Sequence, residues 1–266
     1  EVRDNLLLQA RLKHALSEAH GGLALYYQPQ VDLVSGRLKG FEALLRWHDE
    51  VLGQVSPARL IPVAEGSGMI VPLGYWILEQ ACRQIRTWMT AGTPVRVAVN
   101  LSPRQFREQD LVERIRILLL SVDIPAHLLE LEVTEGALMD DPDRATAMLS
   151  ELAGLGICLS IDDFGTGYSS LSYLKQFPIH KLKIDQSFVR ELPEDQNSAS
   201  IVRSIIGLAH SMRLEVIAEG VETFDQLQFL RDAGCEEYQG YFFSRPVPAT
   251  ECTAMLSRAD DPAHLH

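Results

Sequence analysis

Gly156-Ile157-Cys158-Leu159-Ser160-Ile161-Asp162-Asp163-Phe164-Gly165-Thr166-Gly167-Tyr168-Ser169-Ser170, near the middle of a 266-residue chain, is an apolar run that stops at two adjacent carboxylates. Residues Ile157–Asp162 have the length and composition of a buried strand, and the glycines after them mark a turn. Two neighbouring carboxylates repel, and burying either without a partner is costly. One account is a strand ending in a polar turn, since Asp, Gly and Ser are common there. The other is a cation between Asp162 and Asp163.

Working outward, the same unit recurs. Strands are expected at Val95–Asn100, Leu128–Val133, Lys181–Asp185, Glu215–Ala218 and Glu237–Phe242. Helices are expected between them at Asp110–Ser121, Asp143–Gly154, Ser169–Gln176, Ala199–Met212 and Phe224–Ala233. Upstream, Pro72–Ala91 reads as a long amphipathic helix closed by Gly92, and Ser56-Pro57 as a helix start. Two β-rich runs, Leu23–Gln28 and Leu38–Leu45, flank a Ser35-Gly36 turn signal and are expected to pair antiparallel. Repeated βα units demand a parallel sheet covered by helices, and about eight strands favour closure. The expected fold is α/β, a modified TIM (β/α)₈ barrel with one antiparallel strand in the opening hairpin. A doubly wound open sheet would normally show a Gly-rich fingerprint after its first strand, and none is present. Residues 1–20 are expected as an N-terminal linker helix, 21–258 as the barrel and 259–266 as a flexible tail.

Composition limits the partners. Twenty-four basic against 36 acidic residues give a net charge of −12, which repels nucleic-acid backbone and anionic lipid, so no long nucleic acid is expected. Cys82, Cys158, Cys235 and Cys252 stand far apart in no metal-ligand spacing and read as thiols of a reducing compartment. That places the domain in the cytoplasm, whether or not its parent protein is membrane-anchored. A chain that opens on Glu1 without a signal peptide reads as a piece excised from a larger one.

The polar residues keep a register. Each expected strand ends in groups suited to chemistry: Glu42 and Arg46, Asn100, Glu132, Asp162 and Asp163, Lys183 and Asp185, Glu219, Gln239. From Asn100 onward the first of each stand 32, 30, 21, 36 and 20 positions apart, which is βα-unit spacing. A barrel gathers the carboxyl ends of its parallel strands around one mouth, so these side chains are expected to converge. Five carboxylates and an amide oxygen, with no thiol or histidine, form a hard ligand set suited to Mg²⁺ or Mn²⁺. So many negative groups can hold two ions about 3.5–4 Å apart. Asp162 would then bridge both ions and Asp163 would serve the second.

In order, the motifs are Glu42-Ala43-Leu44-Leu45-Arg46, Val99-Asn100-Leu101-Ser102, Glu132-Val133-Thr134-Glu135, Asp162-Asp163-Phe164-Gly165-Thr166-Gly167, Lys183-Ile184-Asp185, Ala218-Glu219-Gly220-Val221-Glu222 and Gln239-Gly240-Tyr241. From about Leu23 to Pro248 the chain resembles the EAL domains, bacterial cyclic di-GMP phosphodiesterases. The resemblance implies a barrel that hydrolyses one phosphodiester bond of cyclic di-GMP to linear pGpG with two Mg²⁺ or Mn²⁺ ions. By position it implies Glu42, Asn100, Glu132 and Asp162 around one metal, and Asp162 with Asp163 on the other. Lys183 would polarise the attacking water and Glu219 would act as base or metal support, with Glu42 as the third catalytic group. Arg46 would bind a phosphate oxygen, Gln28 and Glu222 would face a guanine, and Asp185 and Gln239 would complete the substrate side. Glu135 would anchor the Asp162-Asp163 loop. A homodimer touching that loop and an upstream GGDEF or sensor domain are implied too. Gln30, where Ile is usual, and Trp47-His48-Asp49, without the usual His-Pro, depart from the family pattern outside the metal set.

Two other readings compete. A silent cyclic di-GMP receptor would have the same fold, but such members usually lose metal ligands or the loop, and here both are whole. A barrel enzyme abstracting a proton beside a carboxylate would need Lys183 neutral. Ca²⁺, with its larger and looser shell, is expected to inhibit.

Overall fold

The computed structural model describes residues 2–17, 21–167 and 170–259. Its strands are β1 (Leu23–Asp32), β2 (Leu38–Asp49), β3 (Gly53–Val55), β4 (Arg96–Leu101), β5 (Leu129–Thr134), β6 (Cys158–Phe164), β7 (Lys181–Ile184), β8 (Glu215–Ala218), β9 (Glu237–Tyr238) and β10 (Val247–Pro248). Its helices are α1 (Val2–Ser17), α2 (Pro57–Ser67), α3 (Ile70–Thr90), α4 (Pro103–Phe106), α5 (Leu111–Val122), α6 (Glu135–Met139), α7 (Pro142–Gly154), α8 (Leu171–Leu174), α9 (Gln186–Arg190), α10 (Gln196–Ser211), α11 (Phe224–Ala233) and α12 (Ala249–Ala259).

The strands run β1-β9-β8-β7-β6-β5-β4-β2, and β2 pairs back on β1 to close an eight-stranded barrel. β1 is antiparallel to both neighbours, while every other adjacent pair in the ring is parallel. The modified (β/α)₈ barrel with its antiparallel strand in the opening hairpin is therefore the observed architecture. β3 and β10 extend the edges beyond the ring.

Period-two alternation sorts the strands. On β5, Leu129, Leu131 and Val133 face the helices while Glu130 and Glu132 share the opposite face, and on β7 Leu182 and Ile184 alternate with Lys181 and Lys183. The apolar core thus lies between barrel and helices, and the interior is polar. A lower layer pairs Lys181 with Glu237 at 2.6 Å, and Glu130 stands 3.6 Å from both Lys181 and Arg96.

Five segments differ most from expectation, two of them β1 and β2, which run four residues past their expected ends at Gln28 and Leu45. β6 runs on to Phe164, beyond the expected end at Asp162, through an irregularity described below. β9 stops at Tyr238, short of Phe242, because Gly240 presses on the Val221 backbone. A Cβ at Gly240 would lie 2.1 Å from the Val221 oxygen, and the Phe242 N–H donates to that oxygen at 2.9 Å. The helix expected over Ser169–Gln176 is limited to α8, with Ser169 outside the described residues. Of the expected tail, residues 260–266 also lie outside them. At the other end, α1 buries Leu8, Leu12 and Ala15 against Trp47, Leu60 and Leu73. Arg11 donates to Asp49 at 2.8 Å, fastening the helix to the end of β2. All four cysteines are free thiols, and Cys82, Cys235 and Cys252 are buried. Among the described residues no helix is long and apolar enough to cross a membrane.

Trp88 of α3 ties several elements together. It is fully buried, its ring meets Tyr27 at 5.2 Å and Phe41 at 5.1 Å, and its Nε1 donates to Thr253 of α12 at 2.9 Å. Trp88→Ala should cost about 3–5 kcal/mol, the usual range for emptying an aromatic site, read as a lowered urea midpoint. A loss under about 1 kcal/mol would mean the cluster does not brace the barrel.

Candidate active site

The barrel mouth is organised around one buried ammonium. Lys183, at the end of β7, has no solvent exposure, and its Nζ donates to Glu132. Glu219 Oε1 stands 2.8 Å away, Asp162 Oδ1 3.3 Å and Glu42 Oε2 3.6 Å. Burial by itself would lower the lysine's pKa, but these carboxylates raise it well above the usual value. In this ring of carboxylates the ammonium form is favoured, and the lysine is placed to donate. That charge state disfavours the reading in which Lys183 is a proton-abstracting base.

A bulge explains the paired aspartates. Ile161 pairs with Leu182 and Phe164 with Ile184, so Asp162 and Asp163 together oppose the single residue Lys183. Adjacent strand residues normally point to opposite faces, and one extra residue breaks that alternation. Asp163 sits at φ 53°, in the left-handed region that non-glycine residues seldom adopt. Its backbone N–H donates to Asp162 Oδ1 at 2.9 Å. Both carboxylates thereby reach the mouth: oxygens of Asp162, Asp163 and Glu219 lie within 4.8 Å of one another. Gly165, at φ +97°, turns the chain away, and its N–H donates to Glu135 Oε2 at 3.0 Å. Glu135 is thus bonded to the loop that follows the aspartates.

The donor set suits hard divalent cations. Glu42, Glu132, Asp162, Asp163 and Glu219 are five carboxylates against one ammonium, so full ionisation leaves four negative charges, the amount two divalent ions supply. Glu132 Oε1 is buried without a hydrogen-bond partner, an open ligand position. Burial, with Asp162 and Asp185 adding repulsion, pushes Asp163 up to about 6. Burial likewise pushes Glu219 up to about 8 against the pull of Lys183, and holds Glu132 well above the carboxylate range.

The remaining expected residues divide into two groups. Asn100 Nδ2 donates to Glu42 Oε1 at 2.6 Å, and Gln239 Nε2 donates to Glu42 and, at 3.3 Å, to Gln28 Oε1. Gln28, Glu42, Asp162, Glu219, Glu222 and Gln239 line one cavity of about 440 Å³. Asp185 caps α9 through the Ser187 N–H at 3.0 Å and adds to the negative field on Asp163. Arg46 does not enter that cavity. It lines an apolar neighbour of about 310 Å³, with Leu44 common to both, and its guanidinium donates to Leu45 O at 2.8 Å. Sequence reading missed Gln30, whose Nε2 donates to Gln239 Oε1 at 3.1 Å. The signal was available, because Gln30 shares a strand face with Gln28. It also missed Gln186 and Arg190 on the cavity wall, which α9 delivers and no local pattern announces.

A family model described as the EAL domain matches residues 9–246. The chain belongs to the EAL domain family. This EAL domain is 44% identical over 253 residues to the bifunctional diguanylate cyclase/cyclic di-GMP phosphodiesterase MucR of Pseudomonas aeruginosa, covering 94% of this chain and 37% of that protein. It is 45% identical over 244 residues to the cyclic di-GMP phosphodiesterase NbdA of the same organism, covering 91% of this chain and 31% of that one. The chain thus spans about a third of the length of these curated relatives. The solved PaMucR phosphodiesterase, in complex with c-di-GMP, superposes with a TM-score of 0.89 at 43% identity over 92% of this chain and 99% of that one.

Metal binding to this EAL domain should depend on pH, because carboxylates ligate only when deprotonated. With Asp163 near 6 and Glu219 near 8 in the metal-free state, Mn²⁺ affinity should rise from pH 5.5 to pH 8.5 with release of protons. Calorimetry in buffers of different ionisation heat reads both. A flat affinity with no proton release would exclude these groups as ligands.

Proposed function

We propose that this EAL domain is a cyclic di-GMP phosphodiesterase that hydrolyses one phosphodiester bond of its substrate to give linear pGpG. The observation that carries the reading is the oxygen-only cluster around a buried lysine, in a chain whose family relatives include proteins named for that activity. Glu42, Asn100, Glu132 and Asp162 would hold one Mg²⁺ or Mn²⁺ ion, and Asp162 with Asp163 the second. When bound, such ions supply Lewis acidity toward a phosphoryl oxygen and lower the pKa of an attacking water.

The chain's own groups do the rest. Lys183 donates to the water oxygen and to the charge that develops on the phosphoryl group. Glu219, whose Oε1 stands 2.8 Å from the Lys183 Nζ on the cavity wall, is the carboxylate placed to take the water's proton. The water oxygen bonds to phosphorus, the bond to one ribose oxygen breaks, and that oxygen leaves to become a hydroxyl. Arg46 offers a fork of donors to a phosphate oxygen. Gln28 and Glu222 face one guanine, Asp185 and Gln239 brace the substrate side, and Glu135 keeps the aspartate loop in place. A dinucleotide straddling Leu44 would set one base in each of the two cavities. The reading also takes the chain as the excised catalytic domain of a longer cytoplasmic or membrane-anchored signalling protein. It includes a homodimer contacting the aspartate loop and an upstream GGDEF or sensor domain.

Incubation with cyclic di-GMP and Mg²⁺ or Mn²⁺, followed by chromatography, should yield pGpG. Glu42→Ala should lower the rate more than about a hundredfold, beyond the usual loss for an outer-sphere partner of a metal. Tight binding without product would make the chain a receptor, and neither binding nor product would remove the reading. Calcium alone should support binding without turnover, and full activity in calcium would refute the proposed metal geometry.

A further inference from the structure

One cation in the mouth has no part in the chemistry above. Arg190, the last residue of α9, lines the cavity of about 440 Å³ beside Gln186, Glu222 and Tyr241. The other charged groups on that wall are Glu42, Asp162, Glu219 and Glu222, so among the described lining residues Arg190 alone is positive. Among the described residues its guanidinium has no hydrogen-bond or ion-pair partner, and only its backbone carbonyl is engaged, accepting from Gln226 Nε2 at 3.4 Å. Its five donors are free to meet whatever enters. Tyr241 presents a half-exposed ring to the same cavity and is itself held by the Arg245 guanidinium 4.1 Å from its centroid.

We propose that Arg190 is a specificity residue that reads the O6 and N7 edge of a guanine seated against Tyr241. The proposal rests on the cyclic di-GMP reading and deepens it. Guanine offers two acceptors on one edge and the N1–H and amino donors on the other. The arginine fork matches the first pair and the Glu222 carboxylate the second. In adenine an amino group replaces O6 and would turn a donor toward the guanidinium, so the wrong purine is repelled as well as under-bonded. A phosphate would also satisfy the fork, but the wall that carries Arg190 offers an aromatic face and a carboxylate. Those suit a base and not a second anion.

The test uses the full chain and its Arg190→Gln and Arg190→Lys variants, whose exposed side chain leaves folding intact, as melting curves will check. Affinities for cyclic di-GMP and cyclic di-AMP are measured in calcium, and KM and kcat for cyclic di-GMP in Mn²⁺. Both variants should weaken cyclic di-GMP binding about tenfold to a hundredfold, the range for losing a bidentate base contact, and raise KM to match. kcat should stay within about twofold and cyclic di-AMP affinity should not fall. Unchanged cyclic di-GMP affinity would overturn the proposal. Equal loss for both dinucleotides would assign the arginine to phosphate, and full rescue by lysine would reduce it to a point charge, either of which also overturns it. Wild-type chain that neither binds nor cleaves cyclic di-GMP would instead refute the underlying function.

Discussion

A charged lysine with no access to water sets the terms for this barrel. The cost of burying the Lys183 ammonium is met only because β2, β5, β6 and β8 each bring a carboxylate to it from the strand or just past its end. Each of those carboxylates gains an opposite charge from the lysine, and the lysine offsets its own burial against several of them. The arrangement exists only in the closed ring, so the ion cluster and the barrel topology are mutually dependent.

The interior holds two ionic layers on the same strands, and their charge balance separates their purposes. In the lower layer Lys181 and Arg96 face Glu130 and Glu237, two against two. In the upper layer five carboxylates face one lysine. The lower layer is balanced in charge, with Lys181 bonded to Glu237 and both Glu130 carboxylate oxygens lacking a hydrogen-bond partner. The upper layer keeps a surplus of carboxylates in a buried site, where burial first and mutual repulsion second hold Glu132 and Asp163 above the ordinary carboxylate range, a donor set suited to cations.

A chain of net charge −12 nevertheless carries two arginines at this mouth. Five carboxylates gather in the mouth around one lysine, while Arg46 and Arg190 line separate cavities that share Leu44. The bulge at Asp162 and Asp163 links these features to the backbone. A regular strand would have turned one aspartate into the apolar shell, at a cost no neighbour there could offset.

The local rules were legible in the chain itself. The βα spacing from Asn100 to Gln239 and the Ser35-Gly36 turn depend on near neighbours, and they point to the barrel and to the acidic register at its rim. Ring closure depends on pairing between β1 and β2 on one side and β9 on the other, more than 200 residues apart, and only that decides which register positions meet. The shared face of Asp162 and Asp163 follows from their pairing with β7, the placing of Arg46 outside the acidic cavity from the packing of α2 and α3, and the arrival of Arg190 from the path of α9. Residue identity carries the chemistry each group can perform, whereas charge state and company are set by burial and by partners distant in sequence, which exist only in the folded molecule.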